Sequence, residues 1–475
     1  MPAPSRIARR ALPVALLISC AAALAAAGDT PMPPPAQRQL AHDIFRQLIE
    51  IPSVDSNGTA EAARAVAQRL LQAGFAPQDV RVLPEKQYPR QVNVVTRLHG
   101  RGHGKPVMWI CHLDVVDAKP QDWTVPPFRF TEKDGWFYGR GTSDMKDQDS
   151  AVLATLIRLK QEGYVPDRDI IVAFTADEES EPEQNGISDL LREHASLVNA
   201  GLVIDPDGAS GESRRGSRLD FAVETSEKTY VTFTLEATNR GGHSSEPRPD
   251  NAIYELAHAL IKVQAYRFPF KTNATTRLYF KALAERETGD TRRDLLALSQ
   301  PPLDEAAAAR LARQVPLNAV LHSTCVATML SGGHAENALP QSARALVQCR
   351  IMPDETAETT RAALVQAIAD PSIKVSLTEA VTASPESPPS PELLATVTRV
   401  VQSMWPGVQV VPQMSAGASD AVFTRNAGMP SYGISGAWED LDDIRAHGRD
   451  ERIEQNNFYQ SVEFTYRLMK ALTGG

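Results

Sequence analysis

Asp169-Ile170-Ile171-Val172-Ala173-Phe174-Thr175 runs directly into Ala176-Asp177-Glu178-Glu179. The apolar, β-branched run is continuous rather than alternating, which is how a strand reads when both faces are covered in a parallel sheet. It stops at two adjacent carboxylates. The same arrangement recurs on either side. Residues 106–111 are an apolar run ending at His112-Leu113-Asp114, and residues 201–204 end at Asp205-Pro206-Asp207-Gly208. Residues 145–162 and 187–195 between them have helical spacing. Strands alternating with helices predict an α/β fold with a mainly parallel, helix-covered sheet. Polar groups at strand ends mark where such sheets open their ligand crevices.

Outward from this centre, residues 37–51 and 60–73 read as helices and 92–98 as a strand. A second unit starts near Ser226. It has a strand at 230–238, a helix at 251–263 with Asp250 as its N-cap, strands at 324–330 and 345–351, a helix at 356–368 and a strand at 374–378. With the charged, helix-prone stretch 275–311 set aside as an insertion, the order is β-α-β-β-α-β, a ferredoxin-like α+β pattern. Residues 383–391, rich in Pro and Ser, form the return linker. A helix at 393–405, a strand at 407–411 and a helix at 455–472 complete the first unit. The expected division is a catalytic domain over 28–225 and 383–475, with residues 226–382 inserted as a lid or dimerisation domain.

Lys plus Arg is 49 against 58 for Asp plus Glu, and no basic stripe occurs. This excludes nucleic acid as an expected partner. Arg6, Arg9 and Arg10 precede an apolar stretch, 11–24, and Ala25-Ala26-Ala27, which together read as an export leader over 1–27. Its removal takes three Arg and no acid, moving the formal net charge from −9 to −12. The expectation is a periplasmic or secreted protein with no membrane span after processing; lipoprotein cleavage at Cys20 is the alternative. Cys111, Cys325 and Cys349 then remain, an odd number that is no disulfide framework. If runs 324–330 and 345–351 pair antiparallel, Cys325 and Cys349 can bridge in an oxidising compartment; two buried thiols are the other outcome. Cys111 reads as a core residue.

His112 and Asp114 are two apart on a strand and so point to one side, where Asp114 can orient the imidazole. Asp144 lies in the glycine-rich turn Gly139-Arg140-Gly141-Thr142-Ser143-Asp144-Met145-Lys146. Glu178 and Glu179 repel unless a cation compensates them; one can then be a ligand while the other takes a proton. Either Asp205 or Asp207 can coordinate. His447, in His447-Gly448-Arg449-Asp450-Glu451, is the distant member. Two imidazoles and several carboxylates at one crevice make a site for divalent metals, and the chemistry they name is metal-assisted hydrolysis.

Trp123, Pro126-Pro127-Phe128, the 139–146 block, Gly241-Gly242-His243-Ser244-Ser245, Asn337-Ala338-Leu339-Pro340 and Arg350 complete a pattern. It resembles the di-zinc peptidase and amidohydrolase family of acetylornithine deacetylase, succinyl-diaminopimelate desuccinylase, glutamate carboxypeptidase, aminoacylase and carnosinase. The resemblance covers nearly the whole chain after the leader. It implies a zinc-exopeptidase-like catalytic domain holding two divalent metal ions, zinc first, with cobalt and manganese as alternatives. His112 and Asp207 would hold one metal, His447 and Glu179 the other, and Asp144 both; Asp205 is the alternative to Asp207. Glu178 would be the general base and Asp114 would support His112. His243 would stabilise the oxyanion, reaching into the partner subunit of a homodimer. Asn337, Arg350, Gly417 and Ser419 would bind substrate, with Arg350 holding its carboxylate. The implied activity is that of a dipeptidase or carboxypeptidase, with an N-acyl-amino-acid deacylase as the alternative and a non-catalytic binding protein as the rival class. The chain departs from the family at Cys111, where a small residue is usual, at Asp147, where glycine is usual, and in Asp205-Pro206-Asp207-Gly208.

Overall fold

The computed structural model describes residues 30–179 and 185–474. The expected leader, with Cys20, lies outside the described residues. The described residues open with helices α1 (Pro35–Ile49) and α2 (Ala60–Gln72), which bury Ile44, Phe45, Leu48, Val66 and Leu70. Strands β1 (Val80–Pro84), β2 (Val92–Leu98) and β3 (Val107–His112) follow. Helix α3 (Lys146–Gln161) leads to β4 (Ile170–Thr175), then come β5 (Leu202–Asp205), β6 (Gly211–Arg214) and β7 (Ser217–Glu227). All six residues of β4 are buried, as are all six of β3.

The inserted part comprises β8 (Thr229–Thr238), α4 (Ala252–Ala265), β9 (Thr324–Gly332), β10 (Ser342–Ile351), α5 (Ala357–Ile368) and β11 (Ile373–Leu377). The chain returns through α6 (Pro391–Met404), β12 (Gln409–Ser415), β13 (Ser431–Gly433), β14 (Trp438–Asp440) and α7 (Gln455–Thr473). Four helices between Ala274 and Leu321 occupy the expected insertion and pack on their own apolar cluster.

The large sheet has the order β1-β2-β4-β3-β5-β13-β7-β6-β14, with β12 also on β7. Its centre, β4-β3-β5-β13, is parallel. Helices cover both faces: one core gathers α1, α2, α3, α6 and α7, and a second lies on the other face around Ile187, Leu190 and Met429. The small sheet has the order β9-β10-β8-β11, the antiparallel ferredoxin-like arrangement, with its own core. Among the described residues no helix is long and apolar enough to cross a membrane.

One local expectation changes, one strand was not expected, and one open alternative is resolved. Asn251, not Asp250, caps α4, accepting the Ile253 and Tyr254 N–H groups, because Asp250 is bound by Arg248. β7 extends over 11 residues that carry no clean alternation; its buried Glu224 is tolerated because Arg425 pairs with it at 2.9 Å. Cys325 faces Cys349 across the antiparallel β9–β10 ladder, and the two form a disulfide. Cys111 is buried and free.

Candidate metal centre

Because β4, β3 and β5 are parallel neighbours, their C-terminal ends share one edge of the sheet. His112 closes β3, Glu178 and Glu179 follow β4, and Asp207 follows β5. Asp144 comes from the turn before α3. That turn needs glycine: Gly141 has φ +91°, and a Cβ there would lie 2.9 Å from Lys146 Cδ and 3.0 Å from Val115 Cγ1.

Asp144 stands between the two imidazoles. Its Oδ1 is 3.2 Å from His112 Nε2 and its Oδ2 is 2.9 Å from His447 Nε2. Asp207 Oδ2 is 3.9 Å from His112 Nε2, and Glu179 Oε1 is 2.9 Å from His447 Nε2. Two groups able to hold a metal therefore share Asp144: His112, Asp144 and Asp207, and Asp144, Glu179 and His447. Glu178 forms a third group with His112 and Glu179. The structure brings together every sequence-predicted ligand and the predicted base. It also separates the two aspartates after β5. Both carboxylate oxygens of Asp205 accept backbone N–H groups, from Asp207 at 3.1 Å and Ala421 at 3.2 Å, so Asp207 is the one that faces the imidazole.

The donor set suits divalent cations. His112 Nδ1 lies 3.1 Å from the backbone oxygen of Asp114 and, in the tautomer that donates to it, leaves Nε2 with a free lone pair. That Nε2 is buried and makes no hydrogen bond among the described residues. Asp114 differs from its expected role in one respect. Its carboxylate is 3.7 Å from Nδ1 and instead accepts the backbone N–H groups of Glu178, at 3.2 Å, and Glu179, at 3.0 Å. Asp114 thus positions the acidic pair as well as the imidazole.

Without compensation the acids crowd one another. Burial, then Asp144 on the raising side, drives Asp207 well above the usual carboxylate range against the pull of His112. Burial raises Glu178 likewise, opposed by His112 and reinforced by Asp207, Asp420 and Glu179. Asp144 moves the other way: burial opposes its ionisation, but the two imidazoles flanking it, His112 and His447, hold it well below the usual range. Asp144 and then Glu179 push His447 up to about 10. A divalent ion can replace imidazolium protons as the counter-charge to these carboxylates.

Glu178, Glu179, His447, Arg350 and Ser419 line one cleft of about 720 Å³. The Arg350 guanidinium lies 4.7 Å from the Tyr230 ring centre, and its buried Nη1 has no hydrogen-bond partner among the described residues. His243, Asn337 and Gly417 do not line this cleft. His243 is exposed, in a two-residue ladder with Ala338–Leu339 that places it beside Asn337. A buried pair given no role by the sequence reading, Arg140 and Glu451, joins the Asp144 turn to the His447 loop. Its only sequence signal was its position inside two of the quoted motifs.

A parallel sheet with imidazoles and carboxylates gathered at its C-terminal edge defines a metal-dependent hydrolase of the α/β class. Residues 108–471 match peptidase family M20/M25/M40, and the chain belongs to that family of peptidases and amidohydrolases. It is 27% identical over 453 residues to the N-fatty-acyl-amino acid synthase/hydrolase PM20D1.1 of Danio rerio, covering 92% of this chain and 86% of that protein. The M20 family metallo-carboxypeptidase Sso-CP2 of Sulfolobus solfataricus shares the fold, with a TM-score of 0.70 at 17% identity over 90% of this chain and 98% of that one. Human carnosine dipeptidase 1 shares it with a TM-score of 0.66 at 14% identity over 93% and 100% of the two chains.

Proposed function

We propose that the protein is an exported di-zinc hydrolase that cleaves an amide bond next to a free carboxylate, as a dipeptidase or carboxypeptidase. The observation that carries this reading is Asp144 shared by two ligand groups, with Glu178 beside them and Arg350 across the same cleft. His112, Asp144 and Asp207 would hold one ion, and Asp144, Glu179 and His447 the other. Bound there, divalent ions lower the pKa of water and polarise the scissile carbonyl. Glu178 takes the proton from the attacking water and delivers it to the leaving nitrogen. Arg350 holds the substrate carboxylate, to which its planar fork is matched, and Ser419 lines the same pocket.

Residues 28–225 and 383–475 act as the catalytic domain and 226–382 as the lid. His243 serves the cleft of a second subunit in a homodimer. Its exposure, and exposed Val326, Met329 and Leu330 on the edge strand β9, support this. Export is supported by the apolar stretch after Arg10 and by the Cys325–Cys349 bridge, which suits an oxidising compartment. An N-acyl-amino-acid deacylase is the second reading, favoured by the similarity to the Danio rerio enzyme.

The test is a screen of dipeptides and N-acyl amino acids with zinc, cobalt and manganese. Hydrolysis of carboxylate-bearing amides, abolished by chelation and restored by zinc, is expected. Absence of hydrolysis with every metal overturns the reading.

A further inference from the structure

The candidate ligands are shared between two cavities. Glu178, Glu179 and His447 face the cleft that holds Arg350, whereas Asp144 and Asp207 line a second cavity of about 560 Å³. Its remaining wall includes α3, the segment after β5, the β6–β7 turn, the stretch around β14 and the start of α7. A substrate whose reacting carbonyl sits at the ligands projects one half to each side. Arg350 occupies the side suited to a carboxylate, leaving the second cavity for the acyl half.

The charges lining that cavity are unevenly engaged. Its three arginines are occupied: Arg218 donates to Gln460 at 2.6 Å and lies on the Trp438 ring, while Arg445 and Arg452 both bind Asp443, at 2.7 and 2.6 Å. Two carboxylates withdrawn from solvent, and outside the candidate ligand set, are incompletely engaged. Asp147 is 1% exposed; its Oδ2 accepts from Gln148, but its Oδ1 has no hydrogen-bond partner among the described residues. Glu439 has no hydrogen bond or ion pair to its carboxylate among the described residues, and its charged neighbours are Glu212 and Asp144, of like sign. Carboxylate oxygens left unmet at a cavity wall, one on buried Asp147 and those of half-buried Glu439, favour a cation that arrives to meet them.

We propose that this second cavity receives the acyl half of the substrate, and that Asp147 and Glu439 select an acyl half carrying an ammonium group, as in an aminoacyl residue. The proposal rests on the amide-hydrolase reading above. A charge-assisted contact of this kind discriminates strongly against an analogue that lacks the charge, because it leaves the carboxylates unmet.

The test compares two derivatives of one amino acid, its N-γ-aminobutyryl and N-butyryl forms, with the zinc-loaded enzyme. The amine-bearing form is expected to show a kcat/KM higher by about tenfold or more. In Glu439→Gln and in Asp147→Asn that ratio falls toward one, and Glu439→Lys moves the preference to the N-glutaryl form. A wild-type ratio of one or below, or a ratio unchanged in both neutral variants, overturns the assignment of the cavity. Cleavage of no derivative by the wild type overturns the hydrolase reading itself, and this proposal with it.

Discussion

Arg140 and Glu451 form a buried ion pair at 2.6 Å that joins the two loops supplying Asp144 and His447. Glu451 also accepts the backbone N–H groups of Gly141, at 3.0 Å, and Ser143, at 2.7 Å. Arg140 in turn donates to the backbone oxygens of His447, at 3.3 Å, and Gly448, at 3.1 Å. One pair of side chains therefore sets the path of both ligand loops, and the separation of Asp144 from His447 depends on it.

Glu451→Ala leaves Arg140 buried and unpaired, which destabilises a fold by about 3–5 kcal/mol. Metal affinity should fall by about 10–100-fold, as when other supports of metal ligands are removed. Denaturant unfolding and a zinc titration check both. A variant with normal stability and normal zinc affinity would show that the pair does not hold the loops.

Glu178→Gln keeps the shape of the side chain and removes its proton acceptor. Hydrolysis should drop by about 10²–10⁴-fold while both metals stay bound, read by single-substrate kinetics beside metal analysis of the same sample. Full activity in this variant would remove Glu178 from the proton transfer.

Arg350→Lys preserves the charge but not the two-pronged geometry. With a carboxylate-bearing substrate, KM should rise by about tenfold, the size of a lost charge-assisted hydrogen bond. The amide of the same substrate, lacking the carboxylate, should be affected much less. An equal loss on both would place Arg350 outside carboxylate recognition.

The metal-free protein should weaken as pH rises. Burial lifts Asp205 to about 6 and Asp420 to about 7. A carboxyl with a raised folded-state pKa contributes stability that is complete below its unfolded value of about 4. That contribution is lost as pH rises through the folded value. His447, held up to about 10 by Asp144 and Glu179, acts in the same direction: its stabilisation is lost as pH rises toward that value. Metal binding needs deprotonated ligands and so strengthens with pH. The gain in Tm on adding zinc to chelated protein should be larger at about pH 8 than at about pH 5.5. Equal gains at the two values would contradict this account of the acids around the site.

Much of the architecture was legible because its signals are local. The all-buried strands Val107–His112 and Ile170–Thr175 read directly as continuous apolar runs, and the acids and imidazole at their ends identified the donor set. Ser217–Glu227 was not legible, since its interior Glu224 looks like a surface residue until Arg425, 201 positions later, is known to meet it.

The amino-acid sequence by itself determined the parallel sheet, the ferredoxin-like insertion and the candidate metal-binding side chains. Periodicity and chemistry are properties of neighbouring residues, and they survive without coordinates. The tertiary structure alone decided what depends on distance between remote segments. It turned Asp207 rather than Asp205 toward His112, because backbone N–H groups occupy both oxygens of Asp205. It paired Cys325 with Cys349 through the register of two strands. It set Arg140 against Glu451 across 311 positions of chain, and it left His243 exposed outside the cleft that holds Glu178. No local pattern encodes such contacts, because each exists only once packing has brought two distant stretches together.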